Sequence, residues 1–155
     1  MLDTWARRRV LGIALLVAPL SAPLPSRAAL APELSKQLGE SQYVYIQSQR
    51  KDGNLGKPAE IWFFVHDGAV YVGSKKTSFR ARRIKAGRKA AEIHIGKVNG
   101  PAFPASGEII DDAAIWQLMF AAYAEKYADG WKTHEKNFRQ GAADGTFALI
   151  RYTPK

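Results

Sequence analysis

Apolar and polar positions alternate over short runs, and clusters of Gly, Pro, Asn and Asp separate the runs. Residues 31–38 open this pattern as a short helix, with Pro32 in the first turn and Gly39 as its stop. Residues 43–49 alternate as a first strand, and residues 51–56 form a turn. Residues 59–65 carry aromatic and branched side chains at successive positions, which predicts a second strand covered on both faces. Asp67-Gly68 is a hairpin signal leading into a third strand at residues 69–73. The polar segment 74–78 feeds a short basic helix at 79–86, ended by Gly87. A fourth strand covers 90–95, a turn falls at Asn99-Gly100-Pro101, and a fifth strand covers 104–110.

Residues 113–127 form the longest predicted helix. Ile115, Met119 and Tyr123 recur at helical spacing, with Trp116, Phe120 and Tyr127 on the adjoining stripe. Asp112 is placed to cap its start and Asp129-Gly130 to end it. Residues 146–152 alternate as the last strand. Tight turns between strands imply antiparallel pairing. The predicted class is therefore mainly β within α+β: a six-stranded antiparallel barrel or sandwich with flanking helices.

Composition changes this picture at the N-terminus. Arg7, Arg8 and Arg9 precede an apolar run at residues 10–20, and Ser26-Arg27-Ala28 follows with small residues where a signal peptidase cuts. The run falls well short of the roughly 20 residues of a membrane span. The expectation is an export signal at 1–28 and one domain at 29–155, acting in the periplasm or as a secreted protein. Ala6-Arg7-Arg8-Arg9-Val10-Leu11 resembles a twin-arginine signal without the Ser or Thr before the pair; an ordinary secretory n-region reads as well. The whole chain carries +9, and the signal holds four arginines against Asp3, so +6 remains. That favours anionic partners. There is no cysteine, which excludes disulfides and thiol chemistry.

Three stretches then carry a family resemblance: residues 57–65 (Lys57 through Trp62 and Phe63 to Val65), 67–74 (Asp67 to Ser74) and 75–84 (Lys75 to Ile84). In this order they resemble the pyridoxamine 5′-phosphate oxidase-like, FMN-binding split-barrel superfamily, and residues 122–127 resemble the end of the family's later helix. The resemblance spans most of residues 40–152. It implies a six-stranded split β-barrel, a homodimer with the cofactor between subunits, and an oxidoreductase using FMN or the deazaflavin F420. The chain runs only three residues past Tyr152, short of the C-terminal segment with which pyridoxamine phosphate oxidases grip their substrate. A different small-molecule substrate is therefore expected.

The chemistry concentrates in residues 74–83, where three hydroxyls and five cations follow a strand and open a helix. Taken from the residues alone, this suits an anion site or a solvated basic helix equally. The resemblance implies the flavin phosphate site, with Lys76, Thr77, Ser78, Arg80 and Arg83 as ligands. It also lays the flavin ring along the strand of Trp62 and Phe63, by backbone contacts more than by side chains; the side-chain alternative is core. Lys57 is a weaker candidate at the start of that strand. His66, His94 and His134 share no metal-ligand spacing, so no metal is expected, and His94 reads as a satisfied core histidine. No Gly-x-Ser-x-Gly or other nucleophile signature points to a hydrolase. Trp131, Lys132, His134, Lys136 and Arg139 form a basic, partly aromatic segment expected at a substrate rim. The alternatives are a non-catalytic module holding flavin, haem or another anionic ligand, and binding of nucleic acid or an anionic surface through the basic helix.

Overall fold

The computed structural model describes residues 30–155, so the expected export signal at 1–28 lies outside the described residues. Seven strands form one antiparallel sheet: β1 Val44–Ser48, β2 Ala59–Ile61, β3 Phe64–His66, β4 Ala69–Lys75, β5 Ala90–Ile95, β6 Ala102–Ile110 and β7 Phe147–Pro154. Four helices accompany it: α1 Pro32–Glu40, α2 Phe79–Lys85, α3 Ala113–Lys126 and α4 Ala128–Ala143. The fold is α+β, as the pattern predicts, with one strand more.

The extra strand comes from residues 59–65, which break in two. The sheet order is β2-β1-β5-β6-β7-β4-β3, so β2 and β3 are its opposite edges. Only Trp62 and Phe63 separate them in the chain. A flat sheet could not satisfy that connection; the sheet must curl until its edges meet, which makes the split barrel. The expected two-sided burial also fails here, since Ala59, Glu60 and Val65 are exposed. The doubly covered strand is β4 instead. Its Val70 and Val72 face the barrel interior with Phe63, Ile93, Ile150 and Tyr152, while Ala69 and Tyr71 face a second core beneath α3 and α4.

Local signals explain most elements. Asp67 (φ 46°) and Gly68 (φ 68°) take the left-handed conformation that a two-residue hairpin needs. The Asp112 carboxylate accepts from the N–H groups of Ala114 and Ile115 and starts α3. α1 passes through Gly39 to Glu40, so that glycine is not a stop.

The largest correction is α4. Asp129-Gly130 lies in its first turn rather than ending α3, and α4 is longer than α3. A Cβ at Gly130 would stand 2.8 Å from Trp62 Cζ2. Glycine is there for close helix–ring approach, which reads in sequence as a turn. Gly141 does the same further along, where a Cβ would meet Phe147 Cδ1 at 2.5 Å. Trp131 is buried and Phe138 half-buried on the same inward face.

Candidate functional site

The break at Trp62-Phe63 is held by two tyrosines of the α3 stripe. Tyr123 donates its hydroxyl to the Trp62 carbonyl at 2.7 Å. The Tyr127 hydroxyl accepts from the Phe63 N–H at 3.0 Å and donates to the Phe63 carbonyl at 3.2 Å. Three backbone groups released by the sheet switch thus find partners. They are no longer available to a ligand, whereas the outer edge of β2, like that of β3, has no strand neighbour. Burial raises both tyrosines, Tyr127 to about 12, so the hydroxyls stay protonated.

Trp62 stacks on Tyr127 at 4.5 Å and 5°, meets Tyr123 edge-on at 5.7 Å and lies parallel to Phe138 at 6.3 Å. Its remaining surface faces a cavity of about 830 Å³ whose wall includes Ile61, Ser74, His134, Phe138 and Phe147. Phe63 has no exposed surface. Its ring is core, the alternative given for its side chain. The Lys126 ammonium sits 3.6 Å above that ring.

Burial lowers Lys126 to about 8, from 10.5 in an unfolded chain. As pH rises through 8 the folded protein releases this proton before the unfolded chain does. Stability should therefore rise with pH between about 8 and 10.5, and below 8 the cost of holding the buried charge is fully present. Denaturant melts across that range should show the slope, and Lys126→Met should flatten it. An unchanged slope would refute the assignment.

A second cavity, of about 630 Å³, is lined by Arg50, Lys57, Ala59, Ser78, Phe79, Arg80 and Arg83, among others. Four of the sequence candidates meet here: Lys57, Ser78, Arg80 and Arg83. Ser78 caps α2, its Oγ accepting from the Ala81 N–H at 3.3 Å and from the Ser74 hydroxyl at 2.9 Å. Its own proton stays free to donate outward. Arg83 spends Nη1 on the Ser48 carbonyl and hydroxyl, both at 2.9 Å, and so ties α2 to β1. Arg80 differs. Its Nη1 is buried without a hydrogen-bond partner, and burial lowers its proton affinity. A buried guanidinium left unpaired is costly, and an anion beside it would remove that cost. The donor set of Lys57, Ser78 and Arg80 fits a phosphate.

Two other candidates lie elsewhere. Thr77 is exposed and lines neither cavity. Lys76 lines a separate basic cavity with Arg82, Lys85 and Lys89. The two candidate cavities themselves are neighbours. Ser74 borders one and Ser78 the other, joined by their hydrogen bond, and β2 contributes Ala59 to one and Ile61 to the other. A cationic cavity and an aromatic cavity thus lie side by side.

Sequence reasoning missed Ser74, Phe138 and Phe147 in the aromatic wall. It named His134 at a substrate rim, and the structure places His134 on α4 beside the aromatic cavity, 5.6 Å edge-on from Trp62. Of the rest of that segment, Trp131 is core, Lys132 and Lys136 are exposed, and Arg139 pairs with Glu135 at 2.8 Å. His94 is buried as expected, its Nε2 3.0 Å from both Gln47 and Glu92, but it is not fully satisfied, since its Nδ1 has no hydrogen-bond partner.

A family model described as "Uncharacterized protein conserved in bacteria (DUF2255)" matches residues 34–149. No curated protein matches the chain. Among solved structures, the haem storage protein HutZ of Vibrio cholerae is similar at 14% identity and TM-score 0.60, over 82% of this chain and 91% of that one. Conserved hypothetical protein Rv2991 of Mycobacterium tuberculosis is similar at 14% identity and TM-score 0.63, over 86% of each chain. A putative pyridoxamine 5′-phosphate oxidase of Listeria innocua is similar at 18% identity and TM-score 0.56, over 79% of this chain and 91% of that one. At these identities the likeness shows the fold, the pyridoxamine 5′-phosphate oxidase-like split barrel.

Proposed function

We propose, from the premise that this chain belongs to the DUF2255 family and has the pyridoxamine 5′-phosphate oxidase-like split-barrel fold, that it is an exported oxidoreductase using FMN or the deazaflavin F420. The observation that carries this reading is Arg80 Nη1, buried without a hydrogen-bond partner beside a cationic cavity that neighbours the aromatic cavity of Trp62. Lys57, Ser78 and Arg80 hold the cofactor phosphate, with Arg83 beside them. The free edge of β2 offers backbone donors and acceptors beside both cavities, and Trp62 and Phe138 wall the one that takes a flat ring. The bound flavin supplies two-electron hydride chemistry; the chain supplies binding, orientation and exclusion of water. A second copy completes the site, covering the open cavities and the exposed side chains of Ala59, Glu60 and Val65 as a homodimer.

A second reading has one observation of its own. His134 brings an imidazole to the aromatic cavity, and the similar HutZ structure is described as a haem storage protein. The absorption spectrum of the purified protein, with each cofactor added in turn, separates the two. A two-banded flavin spectrum that bleaches with dithionite and recovers with an acceptor is the expected result. A Soret band that His134→Ala removes would establish the haem reading instead. Protein that takes up none of FMN, F420 or haem refutes both.

A further inference from the structure

We infer that α2 and the basic cavity behind it form a docking surface for an anionic lipid bilayer. From Gly68 to Ala91 the chain has no acidic residue and eight lysines and arginines. Two of these are occupied elsewhere, since Arg80 turns into the phosphate cavity and Arg83 is tied to Ser48. Lys76, Arg82, Lys85 and Lys89 remain exposed and line one cavity of about 870 Å³ with an apolar floor of Ala81, Ile84 and Ile109. The carboxylate on its wall, Glu108, is already bonded to Arg151 at 2.6 Å. Four cations against one carboxylate leave the rim net positive.

Beside this rim stands Phe79, 68% exposed and the most exposed of the large hydrophobic side chains among the described residues. Arg82 lies 5.0 Å from its ring and Arg83 5.4 Å. An aromatic ring that projects from a ring of cations is costly in water. At a membrane interface the ring enters the acyl boundary while the cations meet headgroup phosphates. Duplex nucleic acid would use the cations and leave Phe79 idle, so the exposed ring favours the bilayer over a duplex. No described helix is long and apolar enough to cross a membrane, and the contact is peripheral. This inference does not rest on the cofactor reading.

Cosedimentation of the ligand-free protein with vesicles tests it. Vesicles of phosphatidylglycerol in phosphatidylcholine should bind the protein at low salt and release it as salt rises, while pure phosphatidylcholine should not bind. Phe79→Ser should weaken binding about tenfold. Arg82→Gln with Lys85→Gln and Lys89→Gln should weaken it about a hundredfold. Arg80→Met should leave it unchanged, because Arg80 serves the other cavity. Equal binding to neutral vesicles, indifference to Phe79→Ser, loss with Arg80→Met, or binding to duplex DNA but not to vesicles would each overturn the proposal.

Discussion

Replacing Arg80 with methionine should raise the stability of the ligand-free protein and abolish most of its affinity for FMN. The two effects share one cause. Arg80 Nη1 is buried without a hydrogen-bond partner, and burial already disfavours its charge. Exchanging an unpaired buried cation for an apolar chain of similar length should gain about 1 kcal/mol. For a domain of this size that is a rise of about 4 °C in the melting midpoint. The same exchange removes a guanidinium whose buried Nη1 has no hydrogen-bond partner from the cationic cavity, so FMN affinity should fall about a hundredfold. An arginine kept for structure would behave oppositely: Arg83, bonded to Ser48, should destabilise when replaced. Thermal melts and FMN titrations of both variants provide the comparison. A fall in stability with Arg80→Met would show that this guanidinium has a partner within the fold.

Replacing Trp62 with alanine should cost about 3 kcal/mol of stability, less than the largest aromatic truncations because the residue is only partly buried. Trp62 sits where the sheet's two edges exchange, and it joins them to both long helices. Its ring stacks on Tyr127 of the α3–α4 junction and lies parallel to Phe138 of α4. Gly130 allows α4 to approach it closely. Deletion leaves a void between the edge and α4 and opens the aromatic cavity. Trp62→Phe should recover about half of the loss, because a smaller ring can keep the stack on Tyr127. Urea unfolding with an unchanged denaturant slope is the appropriate measurement. A loss below about 1 kcal/mol would mean that the switch is held by the tyrosine hydrogen bonds alone.

These predictions concern the places where sequence and structure part. The hairpin at Asp67-Gly68, β5 and the Asp112-capped α3 follow from local chemistry, and the chain reads directly into them. The division of residues 59–65 does not. Nothing in Ile61-Trp62-Phe63-Phe64 interrupts the apolar run; the break is stabilised by Tyr123 and Tyr127, far along the chain. α4 was hidden because Asp129-Gly130 has turn chemistry, and only the packing of Gly130 on Trp62 explains the glycine.

The site divides in the same way. Lys57, Ser78, Arg80 and Arg83 line one cavity. α2 starts immediately after Ser78, and its turn sends Arg80 and Arg83 to one side and Arg82 and Lys85 to the other. Lys76 and Thr77 precede the cap and fall outside the cavity. A run of cations in sequence shows that an anion site is affordable; which of them face inward depends on where the helix begins. The unpaired state of Arg80 is a tertiary property, and it is the feature that separates an anion site from a solvated basic helix.

The most direct test is an equilibrium titration of the protein with FMN and with riboflavin, which share the ring and differ in the phosphate. Anchoring by Lys57, Ser78 and Arg80 predicts that FMN binds about a hundredfold more tightly than riboflavin, and that Arg80→Met reduces FMN to the riboflavin value. Equal affinity for the two compounds, or a preference for FMN that survives Arg80→Met, would contradict the account.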